Sequence, residues 1–261
     1  MNATIAVQMT GADLLKLRKK RGTMIWALVV ALAPLVILYA VKAIEHSSDP
    51  LHNGPAGGID GFSLGVRLLG GFFFGPLAAI LVGAEAGAGD TSAGVFRDLV
   101  VTGRSRVALF ASRVPAALAV IWSIALAAYA IIVAASFLFA GSLATPSLAL
   151  VLNGLGFLLL DLGCLCVLAV AFGSLTGSRP ATIIALIGWT IVASPLLASI
   201  SSLGSARDWI FSQAIVHFSP VHLGDRAASV TMSQATALLV LVVWLAVFLA
   251  LGAWRTRTMD A

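Results

Sequence analysis

Six stretches of this chain are apolar over about twenty residues or more, which is the length that crosses a bilayer core of roughly 30 Å as a helix. The composition agrees, because 60% of the residues are hydrophobic and only 10% are charged. The stretches lack the polar–apolar alternation of a transmembrane barrel. The sequence therefore predicts one all-α polytopic membrane domain over residues 1–261, with spans at about 23–41, 62–84, 107–139, 147–174, 181–203 and 234–254.

The distribution of basic residues predicts the orientation of these spans. Most of the sixteen Lys and Arg fall on one side when both chain ends are placed in the cytoplasm, as the positive-inside rule requires. Basic residues at helix ends are attracted by anionic lipid headgroups. The formal charge of +5 therefore predicts contact with membrane lipids and no nucleic-acid partner. We expect an integral protein of a bacterial plasma membrane, the cell inner membrane, with both termini cytoplasmic.

Residues 1–22, ahead of the first span, predict a cytosolic interfacial helix. Asp13, Lys16 and Lys20 share one side of this helix, and leucines occupy another. A short basic helix of this kind is typical of segments that lie along the inner leaflet.

Two segments are predicted on the outer side. Residues 42–61 are rich in Gly, Pro, His and Asp, which predicts an irregular, hydrated loop. Residues 204–233 mix aromatic and aliphatic side chains with polar ones, a composition typical of short helices at the outer interface. This second segment either rests on lipid as a surface loop or caps a cavity from outside.

The connector between the second and third spans, residues 85–106, is the most informative polar segment. Residues 90–92, Asp-Thr-Ser, are good helix N-cap residues, Phe96 and Leu99 have helical spacing, and Gly103 can end a helix in the left-handed region. A short amphipathic helix in the cytosol is therefore predicted. Its apolar face would be buried in a groove of a partner subunit or against the chain's own inner surface.

A Glu that closes span two (Glu85), a Gly-Asp-Thr step at residues 89–91 and an Arg-Ser-Arg turn at residues 104–106 resemble the permease subunits of ABC-2 type ATP-binding-cassette exporters. The six-span plan extends the resemblance over nearly the whole chain. It implies a half-transporter that dimerises with a second copy or a related permease, and the dimer docks two copies of a cytosolic ATPase. The docking residues it implies are Glu85, Asp90, Thr91, Phe96, Arg97, Leu99, Arg104 and Arg106.

The chain contains no Gly-x-x-x-x-Gly-Lys-Ser/Thr phosphate loop. We therefore expect a transport subunit and no enzyme, with no cofactor bound by this chain and with ATP and Mg²⁺ bound by the partner ATPase. The scarcity of fixed charge favours a hydrophobic or amphipathic substrate, such as a lipid, a peptide or a drug-like compound. The outward direction of transport is implied by the resemblance alone.

Two alternatives remain open at this stage. Asp161, in the middle of span four, needs a partner, water or a proton, and Arg67 in span two could supply the partner. Both are candidate pathway residues, and the carboxylate keeps an ion-coupled secondary transporter open, although no inverted repeat is visible. A Gly-x-Ser-x-Gly pattern at residues 61–65, with four histidines predicted outside, makes an intramembrane serine hydrolase a minor alternative. Cys164 and Cys166 are expected to be packing residues without a metal.

Overall fold

Helices form all of the regular structure that is described. The computed structural model describes residues 3–71, 73–95, 101, 103, 105–223 and 232–258. Six helical segments within them are long and apolar enough to cross a membrane. The predicted all-α polytopic membrane protein with six spans is therefore confirmed.

Two of the six spans contain a π-helical interruption. In chain order the helices are α1 (Ala3–Lys19), α2 (Arg21–Ser48), α3 (Gly58–Val66), α4 (Phe74–Ser92), α5 (Arg106–Leu138), α6 (Leu148–Thr176), α7 (Arg179–Ile187), α8 (Ser194–Ser199), α9 (Phe211–Val216) and α10 (Gln234–Thr258). Spans one, three, four and six are α2, α5, α6 and α10. The second span joins α3 to α4 through a π-helical segment, Arg67–Gly71, and the fifth joins α7 to α8 through another, Gly188–Ala193. A 3-10 helix, Ser201–Trp209, precedes α9.

Two helices run further than the hydropathy predicts. Helix α2 continues to Ser48 and α3 begins at Gly58, so the predicted outer loop at residues 42–61 is shortened to residues 49–57. Helix α4 continues to Ser92, so the expectation that residues 90–92 start the connector helix is wrong. These residues form the last turn of α4, where Asp90 has charged partners in α1 and α5. The apolar residues of the predicted connector helix, Phe96 and Leu99, lie outside the described residues.

The outer segment between the fifth and sixth spans contains short helices, as its composition predicts. The 3-10 helix and α9 follow the fifth span, and the Trp244 indole of α10 donates a hydrogen bond of 2.9 Å to the Trp209 carbonyl oxygen. Phe211 and Ile215 of α9 are buried. This segment therefore packs on the bundle as part of the protein core, and residues 224–231 lie outside the described residues.

Helices α4 and α6 form the centre of the bundle because small residues allow their backbones to approach closely. A Cβ atom added to Gly83 of α4 would lie 2.5 Å from both the Ala169 Cβ and the Cys166 carbonyl oxygen of α6. In the fourth span 72% of the apolar section is buried, against 22%, 17% and 22% in the first, fifth and sixth spans. The second to fourth spans are therefore the core, and the other three cover it only in part.

A tight turn between the fourth and fifth spans sets where the fifth span begins. Gly177 has a φ of 68°, the left-handed conformation that ends α6. The Ser178 side chain then accepts a hydrogen bond from the Ala181 amide as the N-cap of α7, with Pro180 in the first turn. The turn places Arg179 next to the end of α4.

Replacing Gly83 with Ala is expected to destabilise the folded protein by about 1–3 kcal/mol, because the added methyl group overpacks the α4–α6 contact. Gly156→Ala is the matched control, since no atom lies within 4 Å of the added Cβ on that exposed face of α6. Unfolding of the purified protein in mixed micelles by increasing SDS measures both. Equal stability of the two variants would contradict close packing through the glycine face.

Candidate functional site at the α1 end of the bundle

Buried charge is concentrated at the end of the bundle where α1 lies. The side chains of Asp90, in the last turn of α4, and Arg113, in α5, are 8% and 4% exposed. The Arg113 Nη2 atom lies 3.0 Å from Asp90 Oδ2, and the Lys16 Nζ atom donates to both carboxylate oxygens at 2.9 Å. A single carboxylate therefore joins α1, α4 and α5.

Glu85 joins the same helix to the first and fifth spans. Its side chain is 3% exposed. The Thr23 hydroxyl at the start of α2 donates to Oε2 at 3.0 Å, and the Arg179 guanidinium at the start of α7 donates to the same oxygen. The Lys20 Nζ atom, between α1 and α2, lies 3.9 Å from Oε1.

Two more contacts complete the cluster. The Gly87 carbonyl oxygen accepts from Arg113 Nη1 at 3.0 Å and from the Ser174 hydroxyl of α6 at 3.2 Å. The Ser112 hydroxyl donates to Asp13 Oδ2 of α1 at 2.7 Å. We call the whole set the basal network; its members are Asp13, Lys16, Lys20, Thr23, Glu85, Gly87, Asp90, Ser112, Arg113, Ser174 and Arg179.

The charges of the basal network nearly balance. Three carboxylates, Asp13, Glu85 and Asp90, face four cations, Lys16, Lys20, Arg113 and Arg179. Removing a carboxylate from water costs several kcal/mol unless it is paired and hydrogen-bonded, so each buried carboxylate fixes the helices that carry its partners. The enclosed space between these side chains is about 20 Å³, room for about one water molecule. The basal network therefore joins helices and has no room for a substrate.

The predicted ATPase-docking residues are divided between the interior and the surface. Glu85 and Asp90 are buried and contact side chains of this chain. Thr91 is half-buried in the last turn of α4, and Arg106 Nη1 donates to the Arg257 carbonyl oxygen at 3.3 Å, which joins the start of α5 to the end of α10. Outside the described residues lie Phe96, Arg97, Leu99 and Arg104.

Arg113 and Arg179 are functional candidates that the sequence reasoning missed. A signal for Arg113 was present, because it follows Arg106 by two turns inside an apolar span, where a charge requires a partner from another helix. Lys16 and Lys20 were expected to share one side of the interfacial helix with Asp13, with no partner predicted in another helix. Their ammonium groups instead contact carboxylates of α4 and α1.

The possible ion pair between Asp161 and Arg67 does not form. Asp161 is buried in α6, and its Oδ2 atom has no hydrogen-bond partner among the described residues; neither has the buried Nε atom of Arg67. Asp161 lies beside the first π-helical segment, where a Cβ atom added to Gly70 would be 3.3 Å from Oδ2. The Oδ2 atom of Asp161 is thus enclosed without a partner among the described residues, and it lies next to the π-helical segment of the second span.

The Gly-x-Ser-x-Gly pattern belongs to a packing contact. Residues 61–65 lie within α3, so they lack the strand-turn-helix setting of a nucleophilic serine. The Tyr39 hydroxyl donates to the Gly61 carbonyl oxygen at 2.9 Å, and a Cβ atom at Gly65 would meet Ile132 at 2.9 Å. No group of three or more His, Cys, Asp and Glu that could hold a metal ion occurs in the part of the chain that the structure describes.

No family model matches this chain, and no curated protein matches it.

Replacing Arg113 with Gln is expected to destabilise the protein by about 3–5 kcal/mol, because it leaves a buried carboxylate short of its counter-charge. Lys42→Gln removes one partner of an exposed ion pair, Lys42–Glu45 at 3.0 Å, and is expected to cost less than about 1 kcal/mol. Adding Asp90→Asn to Arg113→Gln is expected to recover part of the loss. SDS unfolding measures all four proteins, and equal effects of the two single variants would contradict the buried pair.

Proposed function

We propose that this protein is the membrane-spanning permease subunit of an ATP-driven exporter of the ABC-2 type. The observation that carries the proposal is the position of the basal network. It joins α1 to the ends of the second, third and fifth spans, directly beside the connector that resembles the ATPase-docking segment of such exporters. A separate ATPase supplies the energy, since the chain has no phosphate loop of its own.

The basal network offers a route from the connector to the spans. The part of the connector outside α4 begins after Ser92, two residues beyond Asp90, and α5 begins two turns before Arg113. A displaced connector therefore changes the separation of these two buried charges. Through Glu85 and Arg179, the same movement of α4 reaches the fifth span. A partner that pulls on the connector therefore acts on three spans at once.

The remaining parts of the proposal follow the resemblance. Two permease chains, identical or related, form the pathway, and each docks one ATPase that binds ATP and Mg²⁺. The protein lies in a bacterial plasma membrane with both termini cytoplasmic, in line with its basic residues. The substrate is hydrophobic or amphipathic and moves outward.

Changing Phe96 or Leu99 to Asp is expected to abolish co-purification of the ATPase, because a charge in the docking face would be buried without a partner. Leu51→Asp is the matched control: this leucine is 94% exposed in the loop after α2. Two quantities are measured. The first is whether a second protein that contains a phosphate loop co-purifies in equal amount, and the second is ATP-dependent transport in proteoliposomes. Full association and ATP-driven transport in both connector variants would contradict docking at the connector.

An ion-coupled secondary transporter is the second candidate, favoured by the buried and unpaired Asp161. For a carrier, the purified chain alone transports solute in proteoliposomes under a proton gradient, and Asp161→Asn abolishes this transport because it removes the site that exchanges the proton. For the proposed exporter, the chain alone transports nothing under the gradient. Gradient-driven transport that needs Asp161 would replace the exporter proposal with this one.

A further inference from the structure

A cavity of about 370 Å³ lies between the second span, the fifth span and α9, towards the end of the bundle opposite to α1. Its walls are mainly aliphatic: Leu77 and Ile80 from α4, Ile187 and Ile191 from the fifth span, and Val216 from α9. Its volume falls in the range of about 300–1,000 Å³ that is usual for small-molecule sites. It is therefore large enough for a ligand, unlike the space within the basal network.

Among the described residues, the lining of the cavity carries no charged side chain. No Asp, Glu, Lys, Arg or His is among the described residues that line it. A charged ligand would lose its hydration there without gaining a counter-charge, which makes its entry unfavourable. The walls formed by the described residues therefore favour neutral molecules.

One polar side chain in the cavity wall has an atom without a hydrogen-bond partner among the described residues. The Thr190 hydroxyl donates to the Leu186 carbonyl oxygen at 2.9 Å, and the Ser212 hydroxyl is hydrogen-bonded to Ser194. Gln213 is 8% exposed, and its Oε1 atom is buried with no hydrogen-bond partner among the described residues. Buried amides are almost always hydrogen-bonded, and Gln213 lines the cavity, so its side-chain amide has hydrogen-bonding capacity that the described residues leave unused.

Both spans that border the cavity depart from α-helical geometry beside it. Gly71 ends the first π-helical segment and Thr190 lies in the second, and both residues line the cavity. Such π-helical turns occur frequently at functional sites. The fifth span is also the least buried of the six, so a ligand can displace this wall without disturbing the contact between α4 and α6.

We propose that this cavity binds a neutral amphipathic molecule, with an uncharged hydroxyl or amide hydrogen-bonded to Gln213 and an aliphatic body against Leu77, Ile80 and Ile191. As the substrate of transport, this molecule rests on the function proposed above. Its binding is a property of the single chain and is tested without an ATPase.

The test is photolabelling of the purified full-length protein in phosphatidylcholine nanodiscs. The probe is a long-chain alcohol with a diazirine in its chain, compared with the fatty acid and the alkane that carry the same diazirine. Mass spectrometry of the cross-linked peptides locates the label. The alcohol is expected to label the cavity residues in preference to the lipid-facing sides of α2 and α10, and to exceed both reference probes.

Gln213→Leu is expected to lower labelling of the cavity by the alcohol about two- to tenfold, the equivalent of one net hydrogen bond, and to leave alkane labelling unchanged. Gln234→Leu is the matched control, because Gln234 is exposed at the start of α10. Ile191→Trp places a large side chain in the cavity and is expected to remove the label. This variant tests the proposal if Gln213→Leu does not fold. Equal labelling by alcohol and alkane, or an unchanged pattern in Ile191→Trp, overturns the proposal.

The outcome is separable from that of the exporter proposal. If the cavity is not labelled while the ATPase still associates through the connector, the ligand site is wrong and the exporter stands. If the cavity is labelled and no ATPase associates, the site stands as the ligand site of another class of membrane protein.

Discussion

The ion pair between Asp90 and Arg113 is the constraint on which the arrangement of the helix ends depends. Both side chains are buried, so moving them apart would leave two buried charges without their closest counter-charge, which is costly. The carboxylate lies near the C-terminus of α4, where the helix dipole disfavours negative charge. Lys16 and Arg113 offset this effect, and in doing so they fix α1 and α5 relative to α4.

The glycines of α4 make this ion pair possible. Because Gly83 and Gly87 carry no side chain, α4 lies directly against α6, and the Gly87 carbonyl oxygen is open to donors from two other helices. Close packing and charge pairing therefore support each other over about two turns of α4. The fifth span joins this unit at one end through Arg179, and only 17% of its apolar section is buried.

The six spans could be predicted from hydropathy, because the cost of exposing polar groups to hydrocarbon is local to each segment. The end of α4 could not. Asp90 occurs in a sequence typical of a helix start, and its helical position is decided by Lys16 and Arg113, which lie 74 and 23 residues away in the chain. The π-helical turns could not be predicted either. Both contain glycine, but glycine is common in membrane spans and does not by itself indicate a π-helical turn.

The candidate site could be predicted only in part. Glu85 and Asp90 stand out as acidic residues next to apolar segments, and Asp161 as one inside a span, but a sequence does not show which cations reach them. Arg67 looked like a partner for Asp161, and the structure keeps the two apart. Gln213 carries no sequence signal at all, because an uncharged amide in a mixed polar and apolar segment resembles any loop residue; only its burial without a partner makes it informative.

The uneven burial of the spans determines which positions can accept substitutions during evolution. The first, fifth and sixth spans expose most of their apolar side chains, where exchanges among leucine, isoleucine, valine and phenylalanine alter little more than the shape presented to acyl chains. The faces of α4 and α6 that meet have no such freedom. Homologous chains are therefore expected to retain a narrow strip of glycines and paired charges while the periphery diverges almost freely, which makes distant relatives hard to detect by overall identity.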